Sequence, residues 1–179
     1  MRFATVVLDK THDRSSFSCG KELLDNYFKN QASQDVKKKL TVCFVLPDNY
    51  NTKVQGYYTL SSNSVASDLI PLDLKKRLPK SYTSIPAILI GKLAVDKISQ
   101  KKGLGKILLV DALKRSYLTS VTIGAFAVIV DPIDYDAENY YRTFGFIKLP
   151  GSGKMFLPIL TIRELLIKSE IIDNNLIQK

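Results

Sequence analysis

The stretch "AILIGKLAVDKISQKKGLGK", residues 87 to 106, joins an apolar run to a glycine-containing turn. Up to Asp96 the run is continuously apolar, which is typical of a central buried strand. From Gly103 to about Ser120 the apolar residues recur at helical spacing. Proteins build anion sites from a strand, a short glycine turn and a helix, because the first N–H groups of the helix are free donors. The stretch therefore predicts an α/β fold with a phosphate site at this turn.

The spacing of this turn decides which phosphate it holds. A Walker P-loop needs G-x-x-x-x-G-K-[ST], which is absent, and a dinucleotide fingerprint needs a third glycine where Leu108 stands. The remaining pattern is Q-x-x-G-x-G, formed by Gln100, Gly103 and Gly105, with added charge from three lysines. On the residues alone, a plain helix start without a ligand stays open as an alternative.

The remaining sequence predicts one mixed α/β domain in which strands and helices mostly alternate. We expect Asp134 or Asp136 to cap the helix that begins there, and Gly145 to end it in a left-handed conformation. Predicted strands cover residues 4–9, 40–47, 53–66, 84–96, 124–132 and 154–159, and predicted helices cover residues 18–39, 71–79, 103–120, 134–146 and 161–172, with a hairpin turn at 48–51.

Two of the predicted helices show an apolar side. In the helix at 18–39 this side comprises Leu23, Leu24, Tyr27, Phe28, Ala32 and Val36. In the helix at 103–120 it comprises Leu104, Leu108, Leu109, Ala112, Leu113 and Tyr117, and we expect Asp111, Lys114 and Arg115 to face water.

Composition limits the possible functions. The chain has 179 residues, of which 45% are hydrophobic, and a formal net charge of +9, which favours a polyanionic partner or serves solubility. It contains two cysteines and one histidine, too few for a Cys/His metal site or a histidine triad. With no apolar run long enough for a signal peptide or a membrane helix, we expect a cytoplasmic protein with reduced thiols and no membrane partner.

Two further motifs flank the turn. "LAVD" (Leu93 to Asp96) precedes it, and "AENYYRTFGF" (Ala137 to Phe146) matches an A-x-x-F-Y-x-x-x-GF element after the next strand. In order and spacing the chain resembles the GNAT acetyltransferases. The resemblance implies a single GNAT domain over residues 1–162, with a mixed, mostly antiparallel central sheet flanked by helices, and a C-terminal helix and tail at 163–179.

The resemblance also implies acetyl-CoA as co-substrate and no metal. Pantetheine would then lie along Leu93, Ala94 and Val95, and the pyrophosphate against Gln100, Lys101, Lys102, Gly103, Leu104, Gly105 and Lys106.

Other motifs narrow this resemblance. "HDRSSFSCG" (12–20), "NQASQDVKKK" (30–39), "GYYTLS" (56–61) and "MFLPI" (155–159) resemble the TacT-like GNAT toxins of bacterial type II toxin–antitoxin modules. That group implies acetylation of the α-amino group of aminoacyl-tRNA, which blocks translation, a homodimer, and a ribbon-helix-helix antitoxin. The chain departs from the group in two places. Lys92 replaces an arginine, and Lys37 to Lys39 replace an arginine-rich run, which keeps charge but loses guanidinium geometry.

The resemblance also assigns chemistry to single residues. Tyr141 falls on the tyrosine of the F-Y pair and is the candidate general acid to the coenzyme A thiolate, whereas Tyr140 is interpreted as core. We interpret Asp96 as a solvated strand end and Glu138 as a helix surface residue rather than as bases. His12, Cys19 and Cys43 are interpreted as structural.

An α-amine acceptor suits a chain with one histidine. Its pKa is about 7.7–8.0, so part of it is already neutral at cellular pH, whereas a lysine amine near 10.4 would need a base. Candidate phosphate contacts for tRNA are Lys29, Lys37, Lys38, Lys39 and Arg142, with Lys75, Lys76 and Arg77 as further possibilities. Two alternatives remain: a GNAT that acetylates a protein or small-molecule amine, and a non-catalytic basic module that binds coenzyme A or phosphate.

Overall fold

The computed structural model of the protein describes residues 4–48 and 52–169. Its helices and strands follow the predicted order, except for one short strand at Ile147–Lys148 that the sequence did not predict. In chain order the elements are β1 (Val6–Val7), α1 (Glu22–Asn26), a π-helical turn (Tyr27–Gln31), α2 (Ala32–Lys37), β2 (Val42–Pro47), β3 (Val54–Ala66), a 3-10 turn (Ser67–Leu69), α3 (Leu72–Lys75), β4 (Ser84–Val95), a 3-10 turn (Lys97–Ser99), α4 (Leu104–Thr122), β5 (Ala127–Val130), α5 (Tyr135–Thr143), β6 (Ile147–Lys148), β7 (Met155–Pro158) and α6 (Ile159–Lys168).

The strands form a seven-stranded sheet in the order β1-β2-β3-β4-β5-β7-β6. Antiparallel pairing joins β1 to β2, β2 to β3, β5 to β7 and β6 to β7, which confirms the predicted mixed, mostly antiparallel sheet. The hairpin of β2 and β3 places Cys43 opposite Thr59. Of its predicted turn, residues 49–51 lie outside the described residues. The two described residues that flank this turn are hydrogen-bonded to each other, since Asp48 Oδ1 accepts the N–H of Thr52 at 3.1 Å.

The chain divides into two compact units, one formed by residues 1–61 and 90–112 and the other by residues 62–89 and 113–179. In the first unit three fully buried aromatic rings pack together: the ring centroid of Phe28 lies 4.9 Å from Phe17 and 4.2 Å from Tyr57. The Tyr57 hydroxyl donates to the carbonyl oxygen of Leu24 at 2.8 Å, so this buried polar group is satisfied. These contacts fix α1 and the π-helical turn against β3.

The helix predicted at 18–39 is shorter and less regular than expected. It begins at Glu22, and a π-helical turn separates α1 from α2. Leu24, Phe28 and Ala32 are buried as predicted, but Leu23 is 66% exposed, so its assignment to the apolar side was wrong. Leu23 lies in α1 one residue before the buried Leu24, about 100° away around the axis, which turns it towards solvent.

Helix α4 is enclosed more fully than its sequence pattern predicted. Asp111 and Lys114, which we expected to face water, are 5% and 6% exposed. The Asp111 carboxylate accepts three hydrogen bonds, from the Thr5 hydroxyl at 2.6 Å, the Tyr58 hydroxyl at 2.7 Å and the N–H of Ala4 at 2.8 Å. A buried carboxylate is tolerated when it is hydrogen-bonded in this way. Asp111 therefore ties α4 to β3 and to the residues just before β1.

The second unit has its own core, in which residues from β3, β4, β5 and β7 meet. In β5 and β7, Val128 lies opposite Leu157 and Ile129 opposite Phe156, and all four are buried. Asp134 is the N-cap of α5, since its Oδ1 accepts the N–H of Ala137 at 2.8 Å, and Gly145 has the predicted left-handed conformation, with φ +86°.

The described residues end at 169, one residue after α6, so most of the predicted tail lies beyond them. We keep the boundary between a domain at 1–162 and a C-terminal helix and tail at 163–179 as a proposal. None of the described helices combines the length and the apolarity that a membrane span requires.

Candidate active site

The turn between β4 and α4 adopts a conformation suited to an anion. After β4, Asp96 caps a 3-10 turn by accepting the N–H of Ile98 at 3.0 Å. Lys101 and Gly103 then take left-handed conformations, with φ +60° and +78°. The N–H of Ile107 donates to the carbonyl oxygen of Gly103 at 3.3 Å, which closes the first helical turn. The N–H groups of residues 104–106 precede it at the helix start, where they have no carbonyl partner within the helix, and such groups bind phosphate.

The side chain of Gln100 bridges two segments beside this turn. Its Nε2 donates to the carbonyl oxygen of Cys19 at 2.8 Å and to that of Val95 at 3.0 Å. Gln100 thus joins the end of β4 to the segment before α1. Its position in the motif is explained by this bridging, since a glutamine amide carries two N–H donors and can hold two carbonyls at once.

The segment from Ser18 to Gly20 was not recognised in the sequence as part of this site. The N–H of Ser18 donates to Asp96 Oδ2 at 2.9 Å, and the Ser18 carbonyl accepts the N–H of Lys97 at 2.8 Å. On its other side, Asp25 accepts the N–H of Cys19 at 2.7 Å and the Ser18 hydroxyl at 3.1 Å. Asp96 is therefore a structural cap, not a solvated strand end. An aspartate placed directly after a strand was the available signal, whereas nothing in the sequence pointed to Asp25.

The other predicted ligands of coenzyme A surround the turn. Lys101, Lys102 and Lys106 are exposed, Ala94 is buried, and Leu93 and Val95 are half-buried at the end of β4. Lys92, which replaces an arginine of the family, contacts an aromatic ring. Its ammonium nitrogen is 5.0 Å from the ring centroid of Tyr27, a cation–π contact. The Lys92 backbone N–H donates to Thr59 Oγ1 at 3.0 Å.

Tyr141 lies on α5 in the second unit. It is 8% exposed, and its ring packs at 5.6 Å from Tyr140 and 5.4 Å from Phe146. Burial, with a smaller contribution from Tyr140, raises the pKa of Tyr141, so the phenol is protonated throughout the physiological range. Burial also raises the pKa of Tyr140 to about 12, and the Tyr140 hydroxyl has no hydrogen-bond partner among the described residues.

Glu138 and Arg142 on α5 form an ion pair, and Lys148 Nζ lies 2.8 Å from Glu138 Oε2. The hydrogen bond from Lys148 is the largest cause that lowers the pKa of Glu138. A carboxylate held in its charged form by two cations is a poor proton acceptor, which argues against Glu138 as a base. Its side chain is only 15% exposed, so it is more covered than the helix surface position that we expected. Arg142, predicted to contact tRNA, is engaged with Glu138.

Of the residues predicted to contact tRNA, Lys29, Lys37, Lys38 and Lys39 lie in the first unit, whereas Lys75, Lys76 and Arg77 lie in the second. Lys37, Lys38 and Lys39 are exposed at the end of α2. Lys29 lines a cleft of about 650 Å³ together with Lys10 and Arg14, two cations that the sequence analysis did not select. The Arg14 guanidinium donates to the carbonyl oxygen of Phe28 at 3.4 Å, which holds it against the π-helical turn. The structure thus concentrates positive charge on this side of α1 and α2.

The histidine and the cysteines have structural surroundings. His12 is buried, and its Nδ1 accepts the N–H of Asp9 at 3.1 Å. Burial raises the pKa of Cys19 to about 11 and that of Cys43 to about 12, so both thiols are protonated at neutral pH. Within residues 4–48 and 52–169, no cluster of histidine, cysteine, aspartate or glutamate side chains is arranged to hold a metal ion.

The sequence matches no protein-family model, but curated proteins are similar to this chain over most of its length, among them the following two. The probable toxin TacT of Sinorhizobium fredii is 32% identical over 163 residues, which cover 87% of this chain and 90% of the relative. The tRNA-acetylating toxin of Mycobacterium tuberculosis is 34% identical over 134 residues, which cover 75% of this chain and 78% of the relative.

Solved structures of related toxins have the same fold. AtaT complexed with acetyl-methionyl-tRNAfMet superposes with a TM-score of 0.84 at 26% identity, over 90% of this chain and 98% of that one. AtaTR bound with acetyl-CoA gives a TM-score of 0.80 at 26% identity, over 90% and 96% of the two chains. A phenylalanine-for-tyrosine mutant of AtaT bound to the C-terminus of the antitoxin AtaR gives 0.76 at 25% identity, again over 90% and 96%.

Proposed function

The chain belongs to the family of TacT-like GNAT toxins, and from this premise we propose that it acetylates the α-amino group of an aminoacyl-tRNA with acetyl-CoA as donor. As a member of this family it is an N-acetyltransferase. The single observation that carries the proposal is the turn after β4, where Gln100 bonds two carbonyls while Lys101 and Gly103 take left-handed conformations. This geometry suits the pyrophosphate of coenzyme A, and capping the α-amine of a charged tRNA would block translation.

The amine nitrogen attacks the carbonyl carbon of the acetyl-CoA thioester. A carbon–nitrogen bond forms, and the bond from that carbon to sulfur breaks. We assign the pyrophosphate to the backbone around Gly103 to Lys106, and the pantetheine arm to the backbone of Leu93 to Val95. A backbone N–H in this strand segment would polarise the thioester carbonyl. We assign Tyr141 as the proton donor to the departing thiolate. Burial keeps the Tyr141 phenol protonated at neutral pH, so a proton is available when the thiolate leaves. The amine nitrogen loses one proton to solvent as it is acetylated, and the phenolate regains one from solvent.

An α-amine acceptor requires little help from the protein. With a pKa of about 7.7–8.0, a substantial fraction is neutral at cellular pH. The single histidine of the chain, His12, is buried and bonded to the backbone of Asp9, which makes it unsuitable as a base for a lysine amine. We therefore favour aminoacyl-tRNA over protein lysines as the acceptor.

We propose that Lys29, Lys37, Lys38 and Lys39 contact tRNA phosphates, and that Arg142 does so when it is released from Glu138. We also propose that the chain forms a homodimer, acts in the cytoplasm and is neutralised by an antitoxin of the ribbon-helix-helix kind. Binding of the antitoxin AtaR to AtaT, a protein of the same fold, supports an antitoxin as partner.

The decisive experiment is to incubate the purified protein with acetyl-CoA and total charged tRNA, and to identify acetylated aminoacyl-adenosine by mass spectrometry after nuclease digestion. We expect acetylation of at least one aminoacyl species and none of uncharged tRNA. Tyr141→Phe serves as the control for chemistry at the assigned tyrosine.

Two results would overturn the proposal. Unlabelled charged tRNA, together with acetylation of a lysine peptide or a polyamine, would favour the alternative amine acetyltransferase. Tight binding of coenzyme A with no acetylation of any of these acceptors would favour the non-catalytic module.

A further inference from the structure

We propose that Asp25 is a positioning residue for coenzyme A, acting through the Ser18–Gly20 segment on the side chain of Gln100; this inference rests on the proposed function. Asp25 lies in α1, outside the motif that marks the turn, and belongs to none of the residues that we assign to direct contact with acetyl-CoA. It would act through a chain of hydrogen bonds that begins at its carboxylate and ends at the pyrophosphate turn.

The first link of this chain is the carboxylate itself. Asp25 Oδ1 accepts the N–H of Cys19 at 2.7 Å, and Oδ2 accepts the Ser18 hydroxyl at 3.1 Å. Desolvation raises the pKa of Asp25, but the hydrogen bonds from Cys19 and Ser18 outweigh it and the net shift is downward. The group is therefore ionised at neutral pH, when hydrogen bonds to it are strongest.

The second link is the backbone of the segment. The Cys19 carbonyl accepts Gln100 Nε2 at 2.8 Å, and the Ser18 carbonyl accepts the N–H of Lys97 at 2.8 Å. Gly20 has φ +90°, and a Cβ at this position would lie 2.6 Å from Lys97 Cε, so the segment passes the turn at close range. Asp25 thus holds in place the carbonyl that fixes the side chain of Gln100.

This arrangement explains why a short segment without regular structure can support a binding turn. A loop residue that is not held loses conformational entropy each time a ligand requires it to be ordered. With Cys19 held by Asp25 and Ser18 held by Asp96, that cost is met on folding. Coenzyme A then binds to a turn that is already ordered in the free protein.

The test is calorimetric titration of the full-length protein with coenzyme A, using matched variants. We expect Asp25→Ala to weaken binding by about tenfold, since it removes two hydrogen bonds to a charged group. Asp25→Asn keeps an acceptor for the N–H of Cys19, and we expect it to retain affinity within about threefold. Glu22→Ala removes an exposed carboxylate from the same helix and is the control, with unchanged affinity expected.

A double-mutant cycle separates positioning from a general structural effect. If Asp25 acts through Gln100, then adding Asp25→Ala to Gln100→Ala should weaken binding by less than about twofold further. In acetylation assays Asp25→Ala should raise the KM for acetyl-CoA and leave kcat unchanged. If Asp25→Ala does not fold, Ser18→Ala removes only the hydroxyl bond, and we expect it to weaken binding by about threefold in the wild-type background and not in Gln100→Ala.

The outcomes are distinguishable from failure of the proposed function. If the wild-type protein does not bind coenzyme A, both the proposed function and this inference are overturned. If it binds and Asp25→Ala or Ser18→Ala binds equally well, the inference alone is overturned. Multiplicative losses in the double mutant, or equal losses in Asp25→Asn and Asp25→Ala, would also overturn it, because they would indicate an effect that does not pass through the Cys19 carbonyl.

Discussion

Two adjacent tyrosines, Tyr140 and Tyr141, provide a matched pair at the scale of single residues. We expect Tyr141→Phe to lower kcat by about 100-fold or more while the Kd for acetyl-CoA stays within about twofold, because the change removes only a proposed proton donor. The ring packing against Tyr140 and Phe146 is kept. The measurements are steady-state acetylation of charged tRNA and direct titration with acetyl-CoA.

Tyr140→Phe is the control for this change. Its hydroxyl is buried without a partner in the described part of the chain, so its removal should leave acetylation unchanged and leave the free energy of unfolding equal or slightly higher. Full activity in Tyr141→Phe, or loss of activity in Tyr140→Phe alone, would show that the proton donor has been assigned to the wrong residue.

The thiol of Cys19 is expected to be unreactive although it is only half-buried. Desolvation, and next the hydrogen bond with Asp25, raise its pKa to about 11 from an ordinary value of 9.0. At pH 8 its thiolate is then about 100-fold scarcer than that of an ordinary cysteine, so alkylation by iodoacetamide should be slower by about that factor. The rate should rise about tenfold per pH unit up to pH 10.

The experiment follows alkylation of Cys19 by peptide mass spectrometry, with the protein unfolded in guanidinium as control. Unfolding should restore the ordinary rate at both cysteines. A native rate at pH 8 close to that of the unfolded chain would contradict the assigned environment.

Helix α4 shows what helical periodicity can and cannot predict at the scale of an element. The pattern correctly placed Leu108, Ala112 and Tyr117 on the buried side. It placed Asp111 in water because a charged residue opposite an apolar stripe is ordinarily exposed. The Thr5 and Tyr58 hydroxyls that accommodate the carboxylate lie 106 and 53 residues away in sequence, and no local pattern reveals them.

We expect Asp111→Ala to lower the free energy of unfolding by about 3 kcal/mol, because the buried hydroxyls of Thr5 and Tyr58 and the part-buried N–H of Ala4 lose their acceptor. For a chain of this length the melting temperature should fall by roughly 6–12 °C. Thermal and denaturant unfolding measure the effect. Thr119→Ala, an exposed change on the same helix, should stay within about 0.5 kcal/mol. A loss below about 1 kcal/mol for Asp111→Ala would contradict the claim that these three hydrogen bonds stabilise the folded protein.

The segment before α1 was mispredicted for a related reason. Its local sequence favours helix from Ser18, but the hydrogen bonds to Asp96 and Gln100 hold it in a non-helical conformation until Glu22. Such contacts join residues about 80 positions apart, so tertiary structure overrides local preference. Strand β6 was missed because two residues paired only with β7 leave no periodicity to detect.

At the scale of the whole molecule, the order of elements and the position of the turn were predictable from the sequence, because apolar periodicity and glycine spacing are local signals. The motif residues Gln100 and Gly103 indicated the turn, and the structure adds the left-handed Lys101 that accompanies them. The acceptor amine was not predictable from composition or periodicity. The prediction of this acceptor rests on the family resemblance. Few residues in this chain have a chemistry that is specific to one acceptor, so the residues alone did not identify it.

A net charge of +9 predicts that binding of tRNA depends on salt. We expect the affinity for charged tRNA to fall steeply with salt concentration, with a log–log slope that becomes shallower by about 1 when one phosphate contact is removed. Lys38→Glu should show this change together with weaker binding. Filter binding at several salt concentrations measures both quantities.

Lys80→Glu changes the net charge by the same amount at an exposed position outside the proposed contacts, and should leave the slope nearly unchanged. Equal effects of the two variants would attribute the affinity to overall charge and exclude a specific contact at Lys38. A flat salt dependence in the wild-type protein would exclude phosphate contacts altogether.

The π-helical turn at Tyr27–Gln31 makes this part of the chain sensitive to insertions and deletions. Leu24, Phe28, Ala32 and Val36 recur at intervals of four, and in an α-helix each such interval advances about 40° around the axis. The wider turn offsets part of that advance, which keeps the first three of these residues buried in one line. Exposed side chains here can be exchanged one at a time, but loss of a single residue would rotate everything after it by about 100°. Between residues 24 and 36, homologues should therefore vary in identity at the exposed positions and not in length.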